Sequence, residues 1–201
     1  MPTDQTAILD RYGVLGYPVA HSRSPIIHRL FADQTDQTMS YELMEAPAEQ
    51  LDTIVRNFQR NGGKGLNVTV PHKAAITRLV DELSEEASIA GAVNTLDIRP
   101  NEILGYNTDG IGLVRDLKNN WSFPVAGKRL LIFGAGGAVQ GILGPLLEQE
   151  PATIVLANRS TSKADALASH FGTLGDVVAT RMAALQEHSE PFDLIINATS
   201  A

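Results

Sequence analysis

The sequence predicts an α/β protein in two parts: an N-terminal, mainly parallel α/β domain, followed by a Rossmann-like doubly wound dinucleotide-binding domain that is incomplete at Ala201. Two observations carry that prediction. Apolar, β-branched runs alternate with helical patterns nearly throughout, as βα units around a parallel sheet require. Late in the chain the run Leu130 to Gly137, LLIFGAGG, breaks from a strand pattern into a glycine-rich turn and leads into the helix-like VQGILGPLLEQ.

In the first half the pattern gives strand Arg11 to Tyr17, helix Pro25 to Asp33, strand Met39 to Met44, helix Ala48 to Arg60 and strand Gly65 to Val70. Two short helices follow near Lys73 to Leu79 and Glu85 to Ile89. The runs Ala92 to Ile98 and Ile103 to Tyr106 pair as a hairpin through Arg99-Pro100-Asn101. After a helix from Gly110 to Lys118, the polar, proline-containing stretch NNWSFPVAGKR marks a boundary. The expected division is residues 1–108, a linker helix and boundary over 109–126, and a second domain over 127–201.

The second domain reads as strand Arg129 to Phe133, helix Ala138 to Glu148, strand Thr153 to Ala157, helix Lys163 to His170, and strands near Val177 to Thr180 and Leu194 to Asn197. These amount to one mononucleotide-binding half and the first strand of the next. Gly134 permits the tight turn after the first strand. Gly136 and Gly137, flanked by Ala135 and Ala138, let backbone N–H groups approach a pyrophosphate at the positive end of the helix. The fingerprint is imperfect: G-x-G is followed by Val139 at the sixth position, with Gly141 two residues later. A close strand-to-helix crossing built on small residues would read the same way. The next strand ends in Asn158-Arg159-Ser160, where an NAD site carries an acid to hold the ribose 2′-hydroxyl. No acid stands there. Arg159, with Lys163 a helical turn on, suits a 2′-phosphate that a carboxylate would repel, so the residues favour NADP, unless both are simply solvated at a helix start.

Composition narrows the classes. The formal charge of −7 without a basic stripe argues against nucleic acid, and an anionic ligand must be held by local positive charge and backbone dipoles. There is no cysteine, so disulfides, a thiol nucleophile and thiolate metal ligands are excluded. His21, His28, His72, His170 and His188 form no metal-ligand spacing, and no metal is expected. No apolar run approaches the roughly 20 residues of a membrane span and the N-terminus lacks a signal pattern, so a cytoplasmic protein with no membrane partner is expected. No G-x-S-x-G elbow suggests a hydrolase.

The first half holds a second informative cluster, GLNVTVPHK from Gly65 to Lys73. Alternation sends Val68 and Val70 to a core face and leaves Asn67 and Thr69 on the other. Lys73 falls just past the strand's carboxyl end, where open α/β sheets place ligands, although a lysine starting a helix is commonly a solvated residue. Ser22-Arg23-Ser24-Pro25 also follows a strand. Ser24 fits an N-cap with Pro25 at the first helical position, and the pair of hydroxyls also fits a polyol. Downstream stand Asn94-Thr95 and Asn107-Thr108-Asp109, the last a cap candidate for the next helix.

Taken together, GYPVAHSRSP (Gly16 to Pro25), NVTVPHK (Asn67 to Lys73), AGAVNT (Ala90 to Thr95), NTDG (Asn107 to Gly110), GAGGA (Gly134 to Ala138), NRS (Asn158 to Ser160) and NATSA (Asn197 to Ala201) resemble shikimate dehydrogenase, of the shikimate/quinate dehydrogenase family. The resemblance lies in the ordered set and spans essentially the whole chain. It implies NADP-dependent, reversible reduction of 3-dehydroshikimate to shikimate, a step of chorismate and aromatic amino acid biosynthesis. Lys73 and Asp109 would form the catalytic pair. Ser22, Ser24, Asn67, Thr69 and Asn94 would join them in holding substrate, and Gly134 to Ala138 with Asn158, Arg159, Ser160 and Lys163 would hold the cofactor. A lysine ammonium can stabilise the developing alkoxide and deliver its proton, and in reverse must act as base, so oxidation should rise with alkaline pH. Lys163 stands where the family usually has arginine, which weakens the bidentate grip. The family also runs about 70 residues longer, consistent with the second half of a six-stranded doubly wound sheet. The chain is therefore expected to be truncated at its C-terminus and to expose apolar surface, as a monomer or homodimer. Alternatives are an NAD-dependent quinate/shikimate dehydrogenase, a fragment that binds substrate without turning it over and, from the glycine loop alone, a methyltransferase.

Overall fold

The computed structural model describes residues 9–187 and 190–199. His188, Ser200 and Ala201, named above among the histidines and in the last motif, lie outside them. Contacts divide the chain into two compact units. The first runs to Ser84 and includes Val93–Tyr106; the second comprises Glu85–Ala92 and the chain from Asn107 on.

The first unit contains strand β1 (Asp10–Gly16), helix α1 (Ser24–Gln34), β2 (Met39–Glu45), a 3₁₀ turn Ala48–Gln50 leading into α2 (Leu51–Arg60), β3 (Gly63–Val68), a 3₁₀ helix Ala75–Arg78, β4 (Glu82–Leu83), β5 (Thr95–Ile98) and β6 (Ile103–Tyr106). Its sheet has the order β2-β1-β3-β5-β6-β4. β1 pairs parallel with β2 and β3, while β3-β5 and β5-β6 are antiparallel, so the sheet is mixed. The hairpin at Arg99 to Asn101 forms as expected, closed by the Arg99 N–H donating to the Glu102 carbonyl at 2.9 Å. Buried residues of this sheet include Val14, Leu15, Leu66, Val68, Leu96 and Ile103, with Val14 and Leu15 on opposite faces. α1, by contrast, leaves Ile26, Ile27, Leu30 and Phe31 about half exposed, with only Ala32 buried.

Two expectations change here. Strand β3 ends at Val68, and Val70 is 54% exposed instead of buried, because a turn closes with the His72 N–H on the Thr69 carbonyl at 2.9 Å. The helix expected from Lys73 is a 3₁₀ turn that starts at Ala75. The Lys73 carbonyl, which an α-helix would bond to Thr77, instead accepts the Val93 N–H at 2.8 Å.

The second unit contains α3 (Glu85–Ala90), α4 (Asp109–Asn119), β7 (Arg129–Phe133), α5 (Gly137–Leu147), β8 (Thr153–Asn158), α6 (Thr161–Phe171), β9 (Val177–Arg181), a 3₁₀ helix Met182–Glu187 and β10 (Leu194–Asn197). All pairings are parallel in the order β10-β7-β8-β9. The continuous apolar runs of β7 and β8 follow from this, since a parallel strand covered on both faces has no polar face. Leu130, Ile132, Ile154 and Leu156 pack with Val139, Leu143, Leu146 and Phe171 on one side; Leu131, Val155 and Ala157 form a smaller cluster on the other. The segment expected as linker supplies α4, which packs on α5. Gly110 lies so near that a Cβ there would come within 2.6 Å of both the Gly141 carbonyl and the Pro145 ring.

Candidate active site

The carboxyl ends of β1 and β3 gather most of the residues singled out in the first half. Ser24 was a candidate N-cap, but that place belongs to Arg23, and no side chain caps α1. The serine hydroxyls are engaged with each other instead. Ser22 Oγ accepts the Ser24 N–H at 3.3 Å and donates to Ser24 Oγ at 3.1 Å. Tyr41, on β2, extends this set. Its phenol is hydrogen-bonded to the Ser24 side chain and donates to Asn67 Oδ1 at 2.6 Å. The His28 ring stacks on it with centroids 4.0 Å apart, while His28 Nδ1 meets the Ser24 carbonyl at 3.0 Å. Burial pushes the Tyr41 hydroxyl up to about 12, against the smaller opposing effect of the Ser24 hydrogen bond. It therefore stays a donor at neutral pH. With Oδ1 so occupied, Asn67 keeps its Nδ2 donors for a ligand.

Lys73 follows on the same rim. Its carbonyl is tied to Val93, and the neighbouring Asn94 is held in turn. The Asn94 N–H donates to the Tyr106 carbonyl at 2.9 Å, and its own carbonyl accepts the Val68 N–H at 2.7 Å. Asn94 Oδ1 accepts the Thr95 hydroxyl at 2.9 Å. Thr69 donates its N–H to the Leu15 carbonyl. Backbone bonds thus join the segments carrying Asn67, Thr69, Lys73 and Asn94, while Tyr41 joins Asn67 to the serines.

Asp109 belongs to the second unit. Thr108 takes the N-cap position that Asp109 was a candidate for, and Asp109 is the first residue of α4. Its N–H donates to Asn107 Oδ1 at 3.1 Å, while Asn107 Nδ2 donates to the Ala92 carbonyl at 2.9 Å. Asn107 is 4% exposed and uses both ends of its amide inside the protein. A Cβ on Gly141 of α5 would come within 2.8 Å of this amide and 3.0 Å of Asp109 Oδ2. Gly141, noted only as a departure from the glycine fingerprint, is what lets α5 lie against this pair.

The glycine turn has the form a phosphate cradle needs. Gly134 has φ +114°, in the region that favours glycine, and a Cβ there would meet the Ala198 carbonyl at 2.9 Å. Its N–H donates to the Ala157 carbonyl at 2.9 Å, which places the turn beside the end of β8 where Asn158 begins. Gly136 caps α5 without a side-chain bond, a Cβ there would meet open space, and the first turn of α5 has no acid. Asn158 Nδ2 donates to the Ser160 carbonyl at 2.8 Å, shaping the loop, and the Ser160 and Ser162 hydroxyls lie 3.0 Å apart. Arg159 and Lys163 are exposed. Open N–H groups at α5 and two exposed cations beyond β8 fit a dinucleotide carrying a 2′-phosphate. Among the described residues, no cluster of His, Asp and Glu could hold a metal ion, and no helix is long and apolar enough to cross a membrane.

Comparison with known proteins finds one family in both halves. Residues 14–96 match the family described as shikimate dehydrogenase substrate binding domain, and residues 117–201 match shikimate / quinate 5-dehydrogenase. The shikimate dehydrogenase (NADP(+)) of Chromobacterium violaceum is 51% identical over 191 residues, covering 95% of this chain and 69% of the relative. Among solved structures, shikimate dehydrogenase from Aquifex aeolicus superposes with TM-score 0.85 at 32% identity, covering 96% of this chain and 70% of that one. Shikimate 5-dehydrogenase from Thermus thermophilus, solved with NADP(H) and shikimate, gives 0.82 at 34% identity, covering 95% and 69%. With half its residues shared across nearly the full chain, and the matched motifs standing where the fold gathers a polar rim and a phosphate cradle, the chain belongs to the shikimate dehydrogenase family.

Proposed function

We propose that this chain carries out the NADP-dependent, reversible reduction of 3-dehydroshikimate to shikimate, with the first unit holding substrate and the second holding cofactor. The observation that carries the substrate side is the set of donors joined across the ends of β1 and β3: Ser22 and Ser24, Tyr41, and Asn67 with its Nδ2 group directed away from Tyr41. Hydroxyls and an amide suit a carboxylated polyol, and the serines are the donors for its carboxylate. Gly134 to Ala138 hold the pyrophosphate, and Asn158, Arg159, Ser160 and Lys163 hold the 2′-phosphate. When bound, NADPH supplies the hydride.

The protein's own part is to orient the ketone and manage one proton. Lys73 donates its ammonium hydrogen to the carbonyl oxygen as negative charge develops there, and in oxidation takes the hydroxyl proton back. Asp109 pairs with Lys73 in orienting the substrate hydroxyl. Asn94 and Thr69 hold the remaining ring hydroxyls. Shikimate oxidation should be measured with NADP⁺ and NAD⁺, together with Lys73→Ala. Loss of one general acid–base group predicts a kcat lower by about 10²- to 10⁴-fold, with shikimate binding little changed. Near-normal turnover by Lys73→Ala would remove Lys73 from the mechanism. Shikimate binding without turnover by the unsubstituted chain would reduce the function to binding.

A further inference from the structure

We infer that Glu45, the last residue of β2, is a positioning residue for the serine loop; this rests on the substrate reading above. Its Oε1 accepts two consecutive backbone N–H groups, from Val19 at 2.9 Å and Ala20 at 3.1 Å. Those residues open the turn that delivers the serines, because the Ser22 N–H closes back on the Val19 carbonyl at 2.9 Å. Among the described residues Glu45 has no cationic partner, so loop N–H groups are what its charge serves. Charge-assisted bonds of this kind are about twice as strong as neutral ones.

The next residue ties in the other side of the rim. The Ala46 N–H donates to the Gly16 carbonyl at 3.0 Å, and its carbonyl meets His72 Nε2 at 2.6 Å. His72 is 1% exposed and directly precedes Lys73. The Glu45-Ala46 corner therefore joins the loop of Ser22 and Ser24 to the loop of Lys73, and it sets their spacing without touching ligand. Removing the carboxylate leaves the N–H of Val19, itself 1% exposed, without its acceptor and lets the serine loop drift.

The test is shikimate affinity by titration calorimetry on the full chain. Glu45→Ala should bind shikimate about five- to twentyfold more weakly, the scale of a charge-assisted bond to a solvent-facing carboxylate, with NADP⁺ affinity unchanged. Glu45→Asp, one methylene too short to reach both N–H groups, should lose as much. Glu45→Gln, which keeps an acceptor at the same reach, should recover most of the affinity. In a Ser22→Ala/Ser24→Ala background the effect of Glu45→Ala should shrink below twofold, because the groups it positions are gone. If the serine variant binds shikimate as the unsubstituted chain does, or that chain binds none, the substrate reading falls and this inference with it. If the serine variant is weakened while Glu45→Ala and Glu45→Asp bind normally, only the role of Glu45 is overturned. Equal weakening of NADP⁺ and shikimate would overturn it too, as general destabilisation.

Discussion

Gly141→Ala is the substitution by which the second unit tests the placement of Asp109. The added methyl would lie 2.8 and 2.9 Å from the two ends of the Asn107 amide and 3.0 Å from Asp109 Oδ2. Neither neighbour yields freely. Asn107 is held by the Ala92 carbonyl and the Asp109 N–H, and moving it orphans a buried polar group. Overpacking of this kind costs about 1–3 kcal/mol, and the better helix propensity of alanine returns about 1 kcal/mol. The expected net loss is about 0–2 kcal/mol, read as a fall of about 2–4 °C in Tm per kcal/mol. Activity should suffer more than stability, because a shift near 1 Å in a catalytic group costs about 10²-fold. Thermal unfolding and kcat/KM for shikimate measure the two effects. Gly144→Ala and Gly112→Ala are the controls: the first methyl meets the Ile89 and Phe171 side chains at 3.4 and 3.9 Å, the second meets nothing within 4 Å. Gly112→Ala in α4 should stabilise by about 0.5–1 kcal/mol. Full activity in Gly141→Ala would refute the argument that α5 is held this close so that Asn107 and Asp109 keep their positions.

Two pH dependences follow from the shifted groups. The Tyr41 hydroxyl is pushed up to about 12 by burial, so the folded state favours its neutral form. Its contribution is whole below the ordinary value of 10.0 and is lost as pH rises from there through the folded value. The urea midpoint of Tyr41→Phe should therefore fall less steeply on the alkaline side, and an unchanged slope would contradict this. Asp193 is held below 3.8 by the Arg129 N–H and then by Lys128. Its contribution is whole above that value and is lost as pH falls through the lowered one, so Asp193→Asn should flatten the acid limb of the same plot. A limb as steep as before would contradict that.

Elements whose pattern is settled by burial were legible in the sequence. β7 and β10 have the bounds expected of them, because each apolar run, Leu130 to Phe133 and Leu194 to Ile196, is bracketed closely by polar residues or glycine: Lys128, Arg129 and Gly134 about the first, Asp193 and Asn197 about the second. The turn chemistry of Arg99-Pro100-Asn101 predicted the hairpin for similarly local reasons. What was not legible depends on distant partners. No local pattern says that the Lys73 carbonyl will bond Val93 and so forestall an α-helix. The two residues of β4 are a strand only because β6 lies beside them. Tyr41 and Glu45 escaped notice as site residues because they stand in a strand of ordinary composition, and their partners lie about 26 residues away in either direction. The sequence offers only a tyrosine and a glutamate four apart on one strand face, which half-buried strands commonly show.

Electrostatics explains how a chain of net charge −7 can serve anionic ligands. Of the six α-helices among the described residues, α2, α3 and α4 carry acids in their first turns: Asp52, then Glu85 and Glu86, then Asp109. Helices α1, α5 and α6 carry none. Those three begin at the residues proposed to hold anions: Ser24 for the substrate carboxylate, the glycine turn for pyrophosphate, and Asn158 to Ser160 for the 2′-phosphate. An acid in a first turn ordinarily stabilises a helix by about 0.3–1 kcal/mol, and none of the three N-cap residues makes a side-chain cap bond, so each forgoes the acid that its neighbours carry. In α5 and α6 this leaves open N–H donors at the positive end of the dipole; in α1 the Ser24 N–H goes to Ser22 Oγ, Pro25 has none, and Ile26 and Ile27 close on the Arg23 carbonyl, so there the serine hydroxyls are the donors. The bulk charge then matters little to the proposed binding, because surface charges farther than about 8–10 Å are screened at physiological salt, whereas donors at a helix start would touch the anion they hold. The exception among the acid-bearing helices is α4, whose first-turn acid is Asp109. That carboxylate is the one proposed to pair with Lys73, and the helix that bears it lies against α5 with glycines, Gly110 and Gly141, at the contact.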